Sequence, residues 1–211
     1  MSASTDAART PKVTEATANM SVMRRAAAVL AVLALVVAIR VAWGSHAGVS
    51  APPVIDPGPV ESPQIPASAF SALVVRVVDG DTFLARVGAG PDVRVRVIGV
   101  DTPETVKPNT PVRCYGPQAS AFTKHLLPPG TVVRAAHEAG GDIDRYGRQL
   151  WDVWLPDGRF LESVLAASGA ARAYPFPPQT DHAPLLAELA GQARTERRGL
   201  WGPPCNGHSF A

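Results

Sequence analysis

The chain is predicted to fold as an α+β protein, a small five-stranded β-barrel with three α-helices, preceded by one N-terminal hydrophobic helix. Three observations lead there. Val93, Val95 and Val97 alternate with Arg94 and Arg96, the period of two of a half-buried strand. Asp79-Gly80 separates two β-rich runs, as a tight hairpin requires. Near the C-terminus the period changes to that of a helix, with Leu185, Leu186, Leu189, Ala190 and Ala193 on one stripe.

The N-terminal segments come first. Residues 1–23 mix Ser, Thr and Ala with scattered charge and lack an apolar period, as in a disordered cytoplasmic tail. Residues 24–44 begin with Arg24-Arg25 and continue into the uncharged run Ala26 to Ile39 before Arg40 interrupts. That run suits the core of a signal peptide, with Ser45-His46-Ala47 as a small-x-small cleavage site near Ala47. If Arg40 snorkels to the interface, the same segment nearly spans a bilayer as an uncleaved signal-anchor helix. Both alternatives place the rest of the chain outside the cytoplasm, anchored in the cell membrane or secreted. Residues 45–70, with Pro52, Pro53, Pro57 and Pro66, read as a Pro-rich linker.

The folded domain is expected over 71–205, with a short tail at 206–211. Strands are predicted at Leu73–Val78, Thr82–Val87 and Val93–Val97, and a helix over Tyr115–Leu127, with Pro117 in its first turn and Pro128-Pro129-Gly130 as its stop. Strands Thr131–Ala136 and Gln149–Leu155 follow. Pro156-Asp157-Gly158 turns into a short helix, Phe160–Ser168, ended by Gly169, and a last helix runs from Asp181 to Arg198 before Gly199. This order suits the OB-type barrel.

Net charge excludes one class of argument. The formal +2 comes from the first fifty residues, where Arg9, Lys12, Arg24, Arg25 and Arg40 face Asp6 and Glu15; residues 51–211 hold fifteen basic and sixteen acidic groups. A near-neutral domain has no bulk electrostatic grip on nucleic acid, so any such function rests on a local site. Two cysteines, Cys114 and Cys205, lie beyond the export segment, where an oxidising compartment would let them pair. No Cys or His spacing typical of zinc is present.

Four stretches carry chemistry: Asp79 to Thr82, Arg96 to Asp101, Thr102-Pro103-Glu104 and Asp144 to Arg148. Each has a plain explanation alone. Asp-Gly is what a hairpin turn asks for, although Asp81 is one carboxylate more than a turn needs. Asp101, Pro103 and Glu104 resemble a capping box, but Pro108 and Pro111 exclude the helix it would cap. Together the stretches provide what phosphodiester cleavage demands. Enzymes typically remove about 8–23 kcal/mol from a barrier, which no single group supplies. Asp81 and Asp101, with the carbonyl of Thr102, can hold a hard divalent cation; Glu104 can act as base; Arg96 and Arg148 can bind phosphate oxygens bidentately. Because Arg96 and Asp101 fall on opposite faces of a regular strand yet must converge, a bulge is expected near Gly99.

The stretches VDGDTF, RVIGVDTPET, YGPQASAFTK and DRYGR resemble those of the staphylococcal nuclease, or thermonuclease, family over about residues 72–202. The resemblance implies endonucleolytic hydrolysis of DNA and RNA to 3′-phosphorylated products; the chain is expected to act as a monomer. It implies calcium bound by Asp81, Asp101 and Thr102, a general base at Glu104, catalytic arginines at Arg96 and Arg148, and substrate contacts from Arg145, Tyr146 and Tyr174. Two departures stand out. The segment Ala173 to Pro178 is one residue shorter, which leaves open which aromatic stacks on the base. Asn109 and Thr110 occupy a loop that is lysine-rich in the family, implying weaker, less salt-dependent grip. The alternative readings are a non-catalytic OB-fold module binding nucleic acid or protein, and a surface anchor with an incidental barrel.

Overall fold

The computed structural model describes residues 53–105, 110–138, 141–178 and 181–210. The predicted tail 1–23 and the hydrophobic segment 24–44 lie outside the described residues. Among the described residues no helix is long and apolar enough to cross a membrane.

Five strands close into a barrel: β1 (Phe70–Asp79), β2 (Thr82–Arg86), β3 (Asp92–Val97), β5 (Val132–Ala136) and β6 (Gln149–Trp154), in the order β1-β2-β3-β6-β5. All neighbours are antiparallel except β3 and β6, which run parallel with Val95 opposite Gln149 and Arg96 opposite Leu150. The alternation read from the sequence is the one that fills the barrel: Val74, Phe83, Ala85, Val95, Val97, Val133, Ala135, Trp151 and Val153 are buried.

Between β3 and the next segment the chain does more than bulge. Strand β3 ends at Val97, Ile98 and Gly99 turn with Gly99 at φ +74°, and a two-residue strand β4 (Val100–Asp101) begins in a different sheet. There it pairs with β7 (Arg172–Ala173), Asp101 opposite Arg172. A left-handed turn reorients the strand more sharply than one inserted residue would, and only glycine adopts it without cost.

Helix α1 (Gly116–Leu126) packs on β1 through Ala119, Phe122 and Thr123, while α2 (Leu161–Ala167) is buried along its whole length and covered by α3 (Ala183–Thr195). The helix ends differ from the predicted ones by one to three residues, as terminal turns do. Two 3₁₀ turns, Gly199–Trp201 and His208–Phe210, finish the chain, and Phe210 packs beside Tyr115, Leu200 and Cys205. The expected C-terminal tail is therefore partly folded against the domain.

The described part of the Pro-rich segment also lies against the domain. Val54 and Val60 pack on the core, Trp154 Nε1 donates to the carbonyl of Pro63 at 2.9 Å, Ser62 Oγ accepts the N–H of Phe160 at 3.0 Å, and Asp56 pairs with Arg159 at 2.7 Å. Proline favours extended chain here, as predicted, but the chain is laid on the barrel rather than held off it. Among the described residues, packing on the core thus reaches back to Val54, ahead of the expected start at 71.

Candidate active site

The β1–β2 hairpin brings Asp81 to one rim of the barrel. Thr82 Oγ1 donates to Asp81 Oδ1 at 2.9 Å, and the backbone N–H of Thr102 donates to Asp81 Oδ2 at 3.1 Å. The hairpin is held from the other side by Thr123 of α1, whose hydroxyl donates to the carbonyl of Gly80 at 2.7 Å. Gly80 has to be glycine for reasons of space: a Cβ there would lie 2.6 Å from Thr102 Oγ1 and 2.8 Å from Thr102 Cβ. Gly80→Ala is expected to cost about 1–3 kcal/mol by overpacking and to loosen the Asp81–Thr102 contact. Urea denaturation checks this, and an unchanged midpoint would remove the steric argument.

Arg96, from β3, stands between the two carboxylates. Its Nη2 is 3.3 Å from Asp81 Oδ2 and 3.4 Å from Asp101 Oδ1, and its Nη1 donates to the carbonyl of Val97. The turn at Ile98–Gly99 makes this convergence possible by carrying Asp101 back toward the strand it left. Asp101 is also gripped by Arg172, Nε to Oδ2 at 3.0 Å and Nη2 to Oδ2 at 2.8 Å. Burial raises the Asp101 pKa, the like charge of Asp81 adds to the rise, and Arg96 and Arg172 oppose it. Two carboxylates drawn together against their own repulsion, with the buried and unpartnered Thr102 Oγ1 beside them, form an all-oxygen set suited to a hard divalent cation.

Glu104 lies one step away, in a cluster of its own. It accepts the N–H of Thr105 on Oε1 at 3.1 Å, and Thr105 in turn donates its N–H to Asp79 Oδ2 at 3.2 Å and its hydroxyl to Asp79 Oδ1 at 2.6 Å. Burial raises the Asp79 pKa, and a hydrogen bond shared with Glu104 adds to the rise against the bonds from Thr105 and Gly80. Asp79, which the sequence marks only as a turn residue, is thus the partner that positions the segment carrying Glu104.

No hydrogen bond or ion pair joins Arg148 to the Asp81–Arg96–Asp101 group. It closes the loop before β6 on Asp144, which accepts Arg148 Nε at 2.7 Å on Oδ2 and the backbone N–H of Arg148 and Tyr146 at 2.9 Å on Oδ1. Burial works to raise the Asp144 pKa, but these hydrogen bonds outweigh it and hold its carboxyl below the usual range. Arg148 precedes Gln149, the register partner of Val95, so its backbone is one strand from Arg96. Tyr146 is two-thirds exposed, with Arg145 donating to its hydroxyl at 2.8 Å and stacked 4.8 Å from its ring. Tyr174 is exposed beside the site; its N–H donates to Gly99 O at 2.8 Å and Arg172 lies 5.3 Å from its ring.

Arg172 was missed in the sequence. A single arginine at the end of a helix–turn segment carries no local mark of a partner 71 residues away. Cys114 and Cys205 form a disulfide with Cα atoms 5.7 Å apart, joining the start of α1 to the segment after α3.

A closed five-stranded barrel carrying two carboxylates gathered on one guanidinium defines a small β-barrel protein with a compact polar site. The family model described as "Staphylococcal nuclease homologue" matches residues 94–203. The chain is 43% identical over 144 residues to "Thermonuclease" of Staphylococcus intermedius, covering 68% of this chain and 83% of that protein. It is 43% identical over 128 residues to "Thermonuclease" of Staphylococcus hyicus, covering 61% and 73%. It is 35% identical over 127 residues to "SPbeta prophage-derived endonuclease YokF" of Bacillus subtilis (strain 168), covering 60% and 42%. The chain therefore belongs to the staphylococcal nuclease family, and it is a nuclease.

Proposed function

We propose that the protein is an exported, calcium-dependent endonuclease that hydrolyses phosphodiester bonds of DNA and RNA to 3′-phosphate products. The observation that carries the reading is the placement of the Arg96 guanidinium within 3.4 Å of both Asp81 and Asp101, a paired acidic site with a cationic anion-binder already in it.

Asp81, Asp101 and the Thr102 carbonyl are assigned as the calcium ligands. Bound there, calcium would supply a Lewis acid for the phosphoryl oxygen. Glu104, whose Oε1 accepts the N–H of Thr105, removes the proton of the attacking water. Arg96 and Arg148 stabilise the charge that grows on the equatorial oxygens. Substrate entry frees guanidinium donors that carboxylates now hold: those of Arg96 from Asp81 and Asp101, those of Arg148 from Asp144. Arg145, Tyr146 and Tyr174 are assigned to the nucleotide, the exposed tyrosine faces serving for stacking. Residues 24–44 are assigned as the export signal or membrane anchor, 45–70 as the segment joining it to the nuclease domain at 71–205, and the active species as a monomer.

Digestion of heat-denatured DNA by the purified protein should proceed with millimolar calcium, stop on chelation with EGTA and resume when calcium is restored. Cleavage indifferent to EGTA would eliminate the calcium assignment. Reporter fusions after residue 70 should be active outside the cytoplasm, and activity confined to the cytoplasm would overturn the topology.

A further inference from the structure

On the flank of the domain, remote in sequence from the Asp81–Asp101 pair, three ligand-type side chains converge. Glu138 follows β5, Asp152 lies in β6 and His182 is the residue before α3, and one ligand atom from each lies within 4.8 Å of the others. It is the one such group among the described residues. Glu138 and Asp152 are buried, with His182 closing the site toward solvent. His182 Nε2 is 3.4 Å from Asp152 Oδ2, and the N–H of Asp181 donates to Glu138 Oε2 at 3.3 Å.

A fourth group beneath them points independently to a ligand. Glu162, in α2, has no exposed surface. Its Oε1 accepts the N–H of Val153, next to Asp152, at 3.1 Å, while its Oε2 is buried with no hydrogen-bond partner. Among the described residues no lysine or arginine pairs with Glu138, Asp152 or Glu162. Buried carboxyl groups at Glu138 and Asp152 against one imidazole, with a third at Glu162 bonded to the residue after Asp152, are a costly arrangement without a cation.

We propose that Glu138, Asp152 and His182 form a second metal site, distinct from the nuclease centre, that takes a zinc-class divalent cation. An imidazole nitrogen with two carboxylate oxygens is a donor set for zinc rather than for calcium, which prefers six to eight oxygens. Three protein ligands leave one tetrahedral position for water, and the orphaned Glu162 Oε2 is the acceptor that such a water needs. The ion would tie β5, β6 and α3 together over α2, so its role is to hold the helical layer on the barrel.

The test is titration of the full chain, in detergent and without an affinity tag, with zinc and with cobalt as a spectroscopic substitute. Expected are one zinc per chain, visible cobalt d–d bands of tetrahedral type displaced by zinc, and a raised thermal midpoint. Asp81→Asn, which removes the proposed calcium ligand, should bind zinc unchanged, so failure of the nuclease reading would not affect the result. His182→Gln, at a partly exposed position, should lose the cobalt bands and weaken zinc by more than about tenfold, and Glu162→Gln should weaken it about 10–100-fold. Absence of the bands in the wild-type chain, or zinc affinity unchanged in folded His182→Gln, would overturn the proposal.

Discussion

Glu104→Gln should lower turnover on DNA by about 10²–10⁴-fold, the range that general acid–base catalysis contributes, with little change in KM. The substitution keeps the size of the side chain and an oxygen able to accept the N–H of Thr105, so the Thr105–Asp79 contacts at 2.6 and 3.2 Å should survive. What it removes is proton affinity. A loss concentrated in kcat with unchanged circular dichroism and unchanged urea midpoint supports the assignment; a drop of less than about threefold removes Glu104 from the chemistry. Asp79→Asn offers a useful contrast. It leaves Glu104 in place but weakens the hydrogen bonds that orient its segment, so its effect should be smaller than that of Glu104→Gln and rise with temperature.

Breaking the Cys114–Cys205 disulfide should cost about 2–5 kcal/mol of stability, because it closes a long loop and its removal frees that entropy in the unfolded chain. The bond lies within a small cluster of Tyr115, Leu200 and Cys205, against which Val54, Trp201 and Phe210 pack. Cys114→Ala/Cys205→Ala should therefore lower the urea midpoint strongly, while reductant should shift the wild type toward the double variant and leave the double variant unmoved. A midpoint unaffected by reductant would show the bridge to be energetically idle. Some loss of activity should accompany the instability. Phe210 lies under Arg172 at 3.9 Å, and Arg172 holds Asp101, so loosening the C-terminal turn relaxes one of the two guanidinium groups on that carboxylate.

Most of the barrel could be read locally. Alternation in β3, the Asp79-Gly80 turn and the Pro and Gly punctuation of the helices each reflect forces acting within a few residues, and these elements formed where expected. The two-residue strands β4 and β7 could not be read, since two residues carry no period. Nor could the burial of Glu162, because a helix enclosed on all sides has no polar face to betray which of its residues are inside. The segment before β1 reads as a spacer because its prolines describe the backbone alone; its partners Trp154 and Arg159 are about a hundred residues away.

The candidate site divides in the same way. The sequence alone determined the inventory, namely carboxylates at 81, 101 and 104 and guanidinium groups at 96 and 148, together with the strands and turns that carry them, because side-chain chemistry and backbone preference are properties of the local chain. Only the tertiary structure decided the associations: Arg96 with both Asp81 and Asp101, Arg172 with Asp101, Arg148 with Asp144 instead of the acidic pair, and Asp79 with Thr105 beside Glu104. Closure of the barrel and the left-handed turn at Gly99 fix these distances, and both depend on packing between segments that are far apart in the chain.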